Sequence, residues 1–212
     1  MKSIMKFVNN ALKLMLAAGL LTCVAAAEVN QIEFDLHINP KFASCIGVSG
    51  GPAPTAHVTV KRGKLADTLK IEADNIRPKL AFDMFTVQRS SLLADGTADP
   101  NFTNFGLAWY QTDLEANGKG HFSASIKTIL LDQIFGFDPD VALSPLNTFH
   151  VGFWFNDPND ANTNGCTFDV THPTPFNGEH NAGPVAMISV PDKDTDLGPL
   201  CTDPNKNGTC NP

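Results

Sequence analysis

Residues 147–155 read NTFHVGFWF, and their alternation of residue types decides the fold class. Large apolar side chains occupy every second position, which is the period of a β-strand with one face in a protein core. The two faces carry Phe149, Val151, Phe153 and Phe155 on one side and His150, Gly152 and Trp154 on the other. The stretch therefore predicts a β-strand that buries its phenylalanine face.

Similar patterns recur along the chain on both sides of this strand. The strand-like stretches are QIEFDLHI, AHVTVKR, TLKIEAD, LAFDMFTVQ, GLAWYQT, GHFSASIKTIL and PVAMISV. LAFDMFTVQ is apolar on both faces, which is typical of a central strand. AHVTVKR and TLKIEAD form the pattern of a hairpin. Asn117-Gly118 predicts a second hairpin between GLAWYQT and GHFSASIKTIL. The sequence predicts an all-β fold, a single β-sandwich of about eight strands with Greek-key or immunoglobulin-like connections.

The first 27 residues have the features of a secretory signal peptide. Three lysines precede an apolar run, and Ala25-Ala26-Ala27 supplies a small-residue cleavage site. The run is too short for a confident membrane span, so cleavage would leave residues 28–212 as one domain with no membrane segment. A lipoprotein acylated on Cys23 is the alternative, although Thr22 stands where a lipobox has Gly, Ala or Ser. We expect a secreted protein, extracellular or periplasmic.

The exported part of the chain is strongly acidic. The leader holds three of the 15 basic residues and none of the 22 acidic ones, which leaves 12 against 22 and a formal charge of −10. Nucleic acid is excluded as a partner, since binding to it requires a basic surface. An extracellular protein, a glycan or a second copy of the chain remain as partners.

Four cysteines follow the leader, and an even number in an exported chain predicts two disulfides. The cysteines are Cys45, Cys166, Cys201 and Cys210. Three connectivities are open, and we favour Cys201–Cys210 with Cys45–Cys166. The first bond closes the tail 201–212. The second ties the start of the domain to a late loop. That loop, residues 156–183, has little strand character and is a candidate for a functional or ion-held insertion.

Two strings of the form Asp-x-Asn-x-Asn-Gly predict calcium loops, because alternating oxygen ligands before a glycine can wrap a chain around Ca²⁺. The candidate calcium ligands are Asp157, Asp160, Asn162, Asn164 and Asp169 in the late loop and Asp203, Asn205 and Asn207 in the tail. The strings resemble the short calcium loops of thrombospondin type 3 repeats and dockerins. The alternative is that these Asp and Asn residues only form turns.

The stretch NGCTFDVTHPTPFNGEH is similar to the metal loop of Cu/Zn superoxide dismutases, which are β-sandwiches. The resemblance implies zinc ligands at His172, His180 and Asp192 and a disulfide cysteine at Cys166. No histidine stands near Trp154, where the resemblance places the copper-binding His-x-His, so it implies no dismutase activity. Blocks such as FDMFTVQ, FGLAWYQ and TPFNGEHNAGP also resemble uncharacterised secreted bacterial sandwich proteins.

No sequence motif for a catalytic nucleophile, a metalloprotease or a phosphate loop is present. The aromatic residues Trp109, Tyr110 and Trp154 can stack on a sugar or fill the core. Two functions therefore stay open. The sequence favours a non-enzymatic, secreted or cell-surface sandwich, stabilised by calcium, with a structural or binding role. The alternative is a metalloenzyme or zinc-binding relative of the dismutases that uses the late loop.

Overall fold

A computed structural model describes residues 31–61, 63, 66–127, 148–171 and 174–201. These residues form nine strands, a short 3-10 helix at Pro40–Phe42 and two single-turn helices, α1 (Ala43–Ile46) and α2 (Asp160–Thr163). The strands are β1 (Gln31–Ile38), β2 (Thr55–Lys61), β3 (Thr68–Asp74), β4 (Ala81–Val87), β5 (Ala108–Glu115), β6 (Phe122–Lys127), β7 (Thr148–Phe155), β8 (Val185–Ile188) and β9 (Leu200–Cys201). The all-β prediction is confirmed. No helix in the described part of the chain is long and apolar enough to span a membrane.

The strands form one antiparallel sheet in the order β5-β4-β7-β8-β1-β2-β3-β6, with β9 added beside β7. β1 joins the two halves of the sheet, because its first six residues pair with β2 and His37 and Ile38 pair with β8. β4 lies between β5 and β7, as its apolar sequence predicts. The predicted hairpin of β2 and β3 is also confirmed, with Thr55 opposite Asp74.

The turn at Asn117-Gly118 has a different role from the one predicted. It joins β5 and β6, but β5 pairs with β4 and β6 pairs with β3, so the turn links the two edges of the sheet rather than closing a two-stranded hairpin. The turn is held by hydrogen bonds from Ile76 N to Gly120 O and from Lys79 N to Ala116 O. Gly120 has a φ of +79°, and a Cβ there would lie 2.2 Å from Ile76 O, so only glycine allows this crossing.

The main core lies between the two halves of the sheet. Phe82 of β4 and Phe153 of β7 meet Phe122 of β6, with ring centroids 6.1 and 5.5 Å from that of Phe122. Phe149, Val151, Phe153 and Phe155 all lie in this core, which confirms the predicted inner face of β7. The other face of β7 is buried as well, since Trp154 is 0% exposed in a second apolar cluster.

Candidate functional site: an aromatic cavity on the outer face of the sheet

The Asp and Asn side chains of the late loop hold the backbone of that loop. Asn162 accepts from Phe168 N at 2.8 Å and donates to Phe168 O at 3.0 Å, while Asn164 Nδ2 donates to Asp160 O at 2.8 Å. Asp160 Oδ2 accepts from Asp157 N at 3.2 Å, and burial raises the pKa of the Asp160 carboxyl. These contacts are those of the turn interpretation, and calcium binding at this string stays a prediction.

The remaining predicted metal ligands have local partners or lie outside the described residues. Asp169 Oδ1 accepts from Thr171 N and Oγ1. Asp192 Oδ1 accepts from Thr195 Oγ1 and from the backbone N–H groups of Asp194 and Thr195, and these hydrogen bonds lower the pKa of Asp192. His180 Nδ1 lies 3.1 Å from the backbone oxygen of Asn181. His172, Asp203, Asn205, Asn207 and Cys210 lie outside the described residues, and so does the side chain of Cys201. Within the described ranges, no three His, Cys, Asp or Glu side chains are placed to share a metal ion.

The predicted disulfide between Cys45 and Cys166 is confirmed, with the two Cα atoms 5.7 Å apart. Cys45 is buried in α1, and Cys166 follows α2, so the bond ties the late loop to the start of the domain. Beside it, the rings of Phe42 and Phe168 meet edge to face at 6.2 Å between centroids. The disulfide therefore fixes an aromatic pair that forms part of the cavity described below.

The outer face of β4, β7 and β8 carries the second apolar cluster. Its buried members are Phe85, Val87, Leu92, Trp154, Ala182, Val185 and Ile188. The ring of Trp154 packs in a T-shaped arrangement against the rings of Phe85 and Phe105, with centroid distances of 5.2 and 5.0 Å. This face is buried because two segments cross it, the loop 88–107 and the strap 174–184.

Both covering segments are held by specific hydrogen bonds. In the loop 88–107, Gln88 N donates to Leu107 O at 3.1 Å and Arg89 N donates to Phe105 O at 3.0 Å. In the strap 174–184, Asn181 Nδ2 donates to Thr174 O at 2.7 Å, and Thr174 Oγ1 donates to Ala182 O at 2.6 Å. Each segment is thus held in shape by hydrogen bonds between its own residues.

A cavity of about 630 Å³ lies beside Trp154, between the covering segments and the 3-10 helix. We call it the aromatic cavity. The large apolar side chains that line it are Phe42, Phe102, Phe105, Leu107, Trp154 and Phe168. Among the described residues of its lining, Lys41 is the one that carries a charge. The volume is in the range of small-molecule sites, roughly 300–1,000 Å³, which are mostly apolar with a few polar groups.

A buried carboxylate lies on the same face of the sheet. Asp83 of β4 is 0% exposed, and its sheet neighbours are Trp154 on β7 and Asp113 on β5. Its Oδ2 accepts from Asn177 Nδ2 of the strap at 2.9 Å, whereas its Oδ1 is buried without a partner among the described residues. Burial raises the pKa of Asp83 to about 6, and the charge of Asp113 adds to the rise, against the hydrogen bond from Asn177.

Asp83→Asn should raise the free energy of unfolding at pH 7.5. The folded pKa of Asp83 lies above the ordinary 3.8, so the folded state gains stability as pH falls through about 6 and is least favoured when the carboxylate is ionised. Asparagine removes the buried charge and keeps an acceptor for Asn177. Urea unfolding at pH 7.5 and pH 4 should show a gain that shrinks at the lower pH.

The exposed Asp194 provides the control for Asp83, since Asp194→Asn removes a solvated charge of the same type. That control should change stability little at either pH. A loss of stability in Asp83→Asn at pH 7.5 would contradict the interpretation, because it would mean that the folded protein requires the ionised carboxylate.

No protein-family model matches the chain, and neither the curated proteins nor the solved structures gave a match. The resemblances described from the sequence therefore stay predictions. Any function for the chain must be argued from its own geometry.

Proposed function

We propose that the protein is an exported, non-enzymatic binding protein that takes a small apolar molecule into the aromatic cavity. The observation that carries the proposal is the cavity itself, about 630 Å³ in volume and lined mainly by aromatic and aliphatic side chains. Transfer of an apolar ligand from water into such a site is favourable in proportion to the apolar surface that is buried. Because each wall is held by hydrogen bonds within its own segment, and Asn177 of the strap also donates to Asp83 of β4, little conformational entropy is lost on binding.

The proposal also covers the β-sandwich fold and the export of the protein. We propose a sandwich, since Phe82 and Phe153 of one half of the sheet pack against Phe122 of the other. Export is supported by the leader pattern and by the Cys45–Cys166 disulfide, since such bonds persist in oxidising compartments. Calcium at the late-loop string is compatible with this function but is not needed for it. The zinc-enzyme alternative receives no support from the contacts of His180 and Asp192, each of which is engaged within its own segment.

The proposal is tested with N-phenyl-1-naphthylamine, an apolar dye without oxygen whose fluorescence rises on transfer out of water. The purified protein should bind it saturably, with about one site per chain. Ala108→Phe should weaken this binding at least tenfold, because Ala108 lines the cavity and a phenyl ring there occupies the space.

Ala81→Phe is the matched control. Ala81 is half-buried at the start of β4 and lies outside the cavity lining, so the same added volume should leave dye affinity within about twofold of the wild type. Circular dichroism and urea unfolding would show that both variants are folded. Binding that is absent, or equally weakened by the two substitutions, would overturn the proposed function.

A further inference from the structure

The strap 174–184 is a small hairpin with a fixed base and a tip at the surface. Phe176 pairs with Asn181 in an antiparallel bridge, which joins the two arms of the hairpin. At the base, Gly183 N donates to Phe155 O of β7 at 2.6 Å. The side chain of Phe176 is 59% exposed, so this large residue of the hairpin does not anchor the strap in the core.

Asn177 attaches the tip of the strap to the sheet. Its Oδ1 accepts from Glu179 N and from His180 N, both at 2.9 Å, and so shapes the turn of the hairpin. Its Nδ2 donates to Asp83 Oδ2 of β4, also at 2.9 Å. One amide therefore forms the tip and joins it to the strand beneath. We call the contact between Asn177 and Asp83 the latch.

The latch closes over a carboxyl group that water does not reach. Asp83 is 0% exposed, and its neighbours on the adjacent strands are Trp154 and Asp113. Burial penalises an ionised carboxylate far more than a protonated one, and a second carboxylate on the next strand adds repulsion. The closed strap therefore favours protonated Asp83, whereas a lifted strap, which admits water, favours the ionised form.

The charged groups that face Asp83 come from β5 and from the strap. On β5, Asp113 lies opposite Asp83 and accepts from Tyr110 Oη at 2.7 Å. On the strap, His180 is near enough for its charge to lower the pKa of Asp83, and Glu179 is near enough to Tyr110 to raise the pKa of the phenol. On β7, the neighbour is the uncharged Trp154.

The balance of these effects at Asp83 favours the proton. Burial raises the pKa of Asp83 to about 6, and it outweighs the hydrogen bond from Asn177 and the charge of His180, both of which lower the pKa. When the strap is lifted, water returns the carboxyl towards its ordinary pKa of 3.8. The closed form therefore binds the proton more tightly, and the ratio of open to closed molecules should rise about tenfold from pH 5 to pH 8.

We propose that Asp83 and Asn177 form a pH-sensitive latch, which keeps the strap closed while Asp83 is protonated and lets it lift when the carboxylate is ionised. Thr174 and Pro175 of the strap line the aromatic cavity, so lifting the strap changes one wall of that cavity. The inference does not rest on the proposed function, because it concerns a motion of the strap in the protein without a ligand.

Trp154 provides the probe for this motion. The chain has two tryptophans, so Trp109→Phe leaves Trp154 as the single indole. Trp154 is 0% exposed and belongs to the same apolar cluster as Ala182 of the strap. NMR measures hydrogen exchange of its indole N–H, divided by the rate for N-acetyltryptophanamide at the same pH. This ratio should rise about tenfold from pH 5 to pH 8, and so should the corresponding ratio for the Ala182 amide.

Three substitutions in the Trp109→Phe protein identify the group that titrates. Asp83→Asn keeps an acceptor for Asn177 and does not ionise, so its exchange ratios should stay within twofold between the two pH values. Asp194→Asn removes an exposed carboxylate and should keep the tenfold rise. Asp113→Asn should make the rise smaller, because the charge of Asp113 raises the pKa of Asp83.

An equal rise with and without Asp83→Asn would overturn the inference, and so would exchange ratios that do not change with pH in the Trp109→Phe protein. His180→Gln should keep the rise, and a rise that vanishes in this variant alone would assign the switch to the histidine and contradict the latch. If Asp83→Asn does not fold, an undiminished rise in Asp113→Asn contradicts it instead. Dye binding plays no part in these measurements, so the latch and the proposed function stand or fail separately.

Discussion

Replacing Cys45 and Cys166 together by alanine is expected to lower the free energy of unfolding by roughly 4–5 kcal/mol. The bond spans 121 residues, and the chain-entropy model assigns a stabilisation of this size to a loop so long. Alanine is the appropriate replacement, because Cys45 is fully buried and a serine hydroxyl there would add the penalty of a buried polar group. Urea unfolding of the oxidised wild type and the double variant measures the difference.

The same substitution should also weaken dye binding in the aromatic cavity. Phe42 lies next to α1 and Phe168 follows Cys166, and their edge-to-face contact forms part of the cavity lining. Without the disulfide, the segment that carries Phe168 loses its covalent link to the start of the domain. Reduction of the wild type breaks the same bond, together with any bond between Cys201 and Cys210, and should therefore produce losses at least as large in both measurements. A loss of stability below 1 kcal/mol would contradict the prediction and indicate that the unfolded chain is already compact.

The pairing of Cys45 with Cys166 was predictable because few partners exist for four cysteines. The inner face of β7 was predictable from alternation, because every second residue from Phe149 to Phe155 is large and apolar and such residues lie on one side of a strand. The strand order was not predictable in this way, since β5 and β6 are neighbours in sequence and lie at opposite edges of the sheet. The Asn117-Gly118 turn indicates a reversal of the chain but not which strands pair after it.

The aromatic cavity was hidden from sequence analysis because it is made by segments that lack strand or helix periodicity. Phe102 and Phe105 stand in a stretch rich in Asp, Asn and Gly, and an aromatic pair in such a stretch is a sign that the loop packs against the protein. Asp83 carried a signal too, since a lone carboxylate in a strand that is apolar on both faces must be buried. The Asp and Asn strings of the late loop are the reverse case, because one pattern serves both turns and calcium loops. The contacts of Asn162 are those of a turn, and calcium binding at the string stays a prediction.

Lowering the pH from 7.5 to 4 should cost the folded protein roughly 3 kcal/mol through His150 alone. His150 is buried on the outer face of β7, where burial lowers the pKa of its imidazole to about 4 from the ordinary 6.5, against the hydrogen bond with Ser189. Its Nδ1 lies 3.1 Å from both Ser189 O and Ser189 Oγ. The unfolded chain takes up a proton near pH 6.5, before the folded chain does, so stability is complete above pH 6.5 and is lost as pH falls towards 4.

His150→Asn isolates this contribution, since asparagine keeps a polar group near Ser189 and does not titrate. The variant should be less stable than the wild type at pH 7.5, because the smaller side chain fills the site poorly. The difference should shrink by roughly 3 kcal/mol at pH 4, where the wild type has lost the histidine contribution. Asp83 titrates in the same way in both proteins, so its contribution cancels from the difference in free energy of unfolding. The stability of Asp83→Asn relative to the wild type should instead fall as the pH is lowered. A difference between His150→Asn and the wild type that stays constant from pH 7.5 to pH 4 would contradict the prediction, because it would mean that His150 has the same pKa in the folded and the unfolded chain.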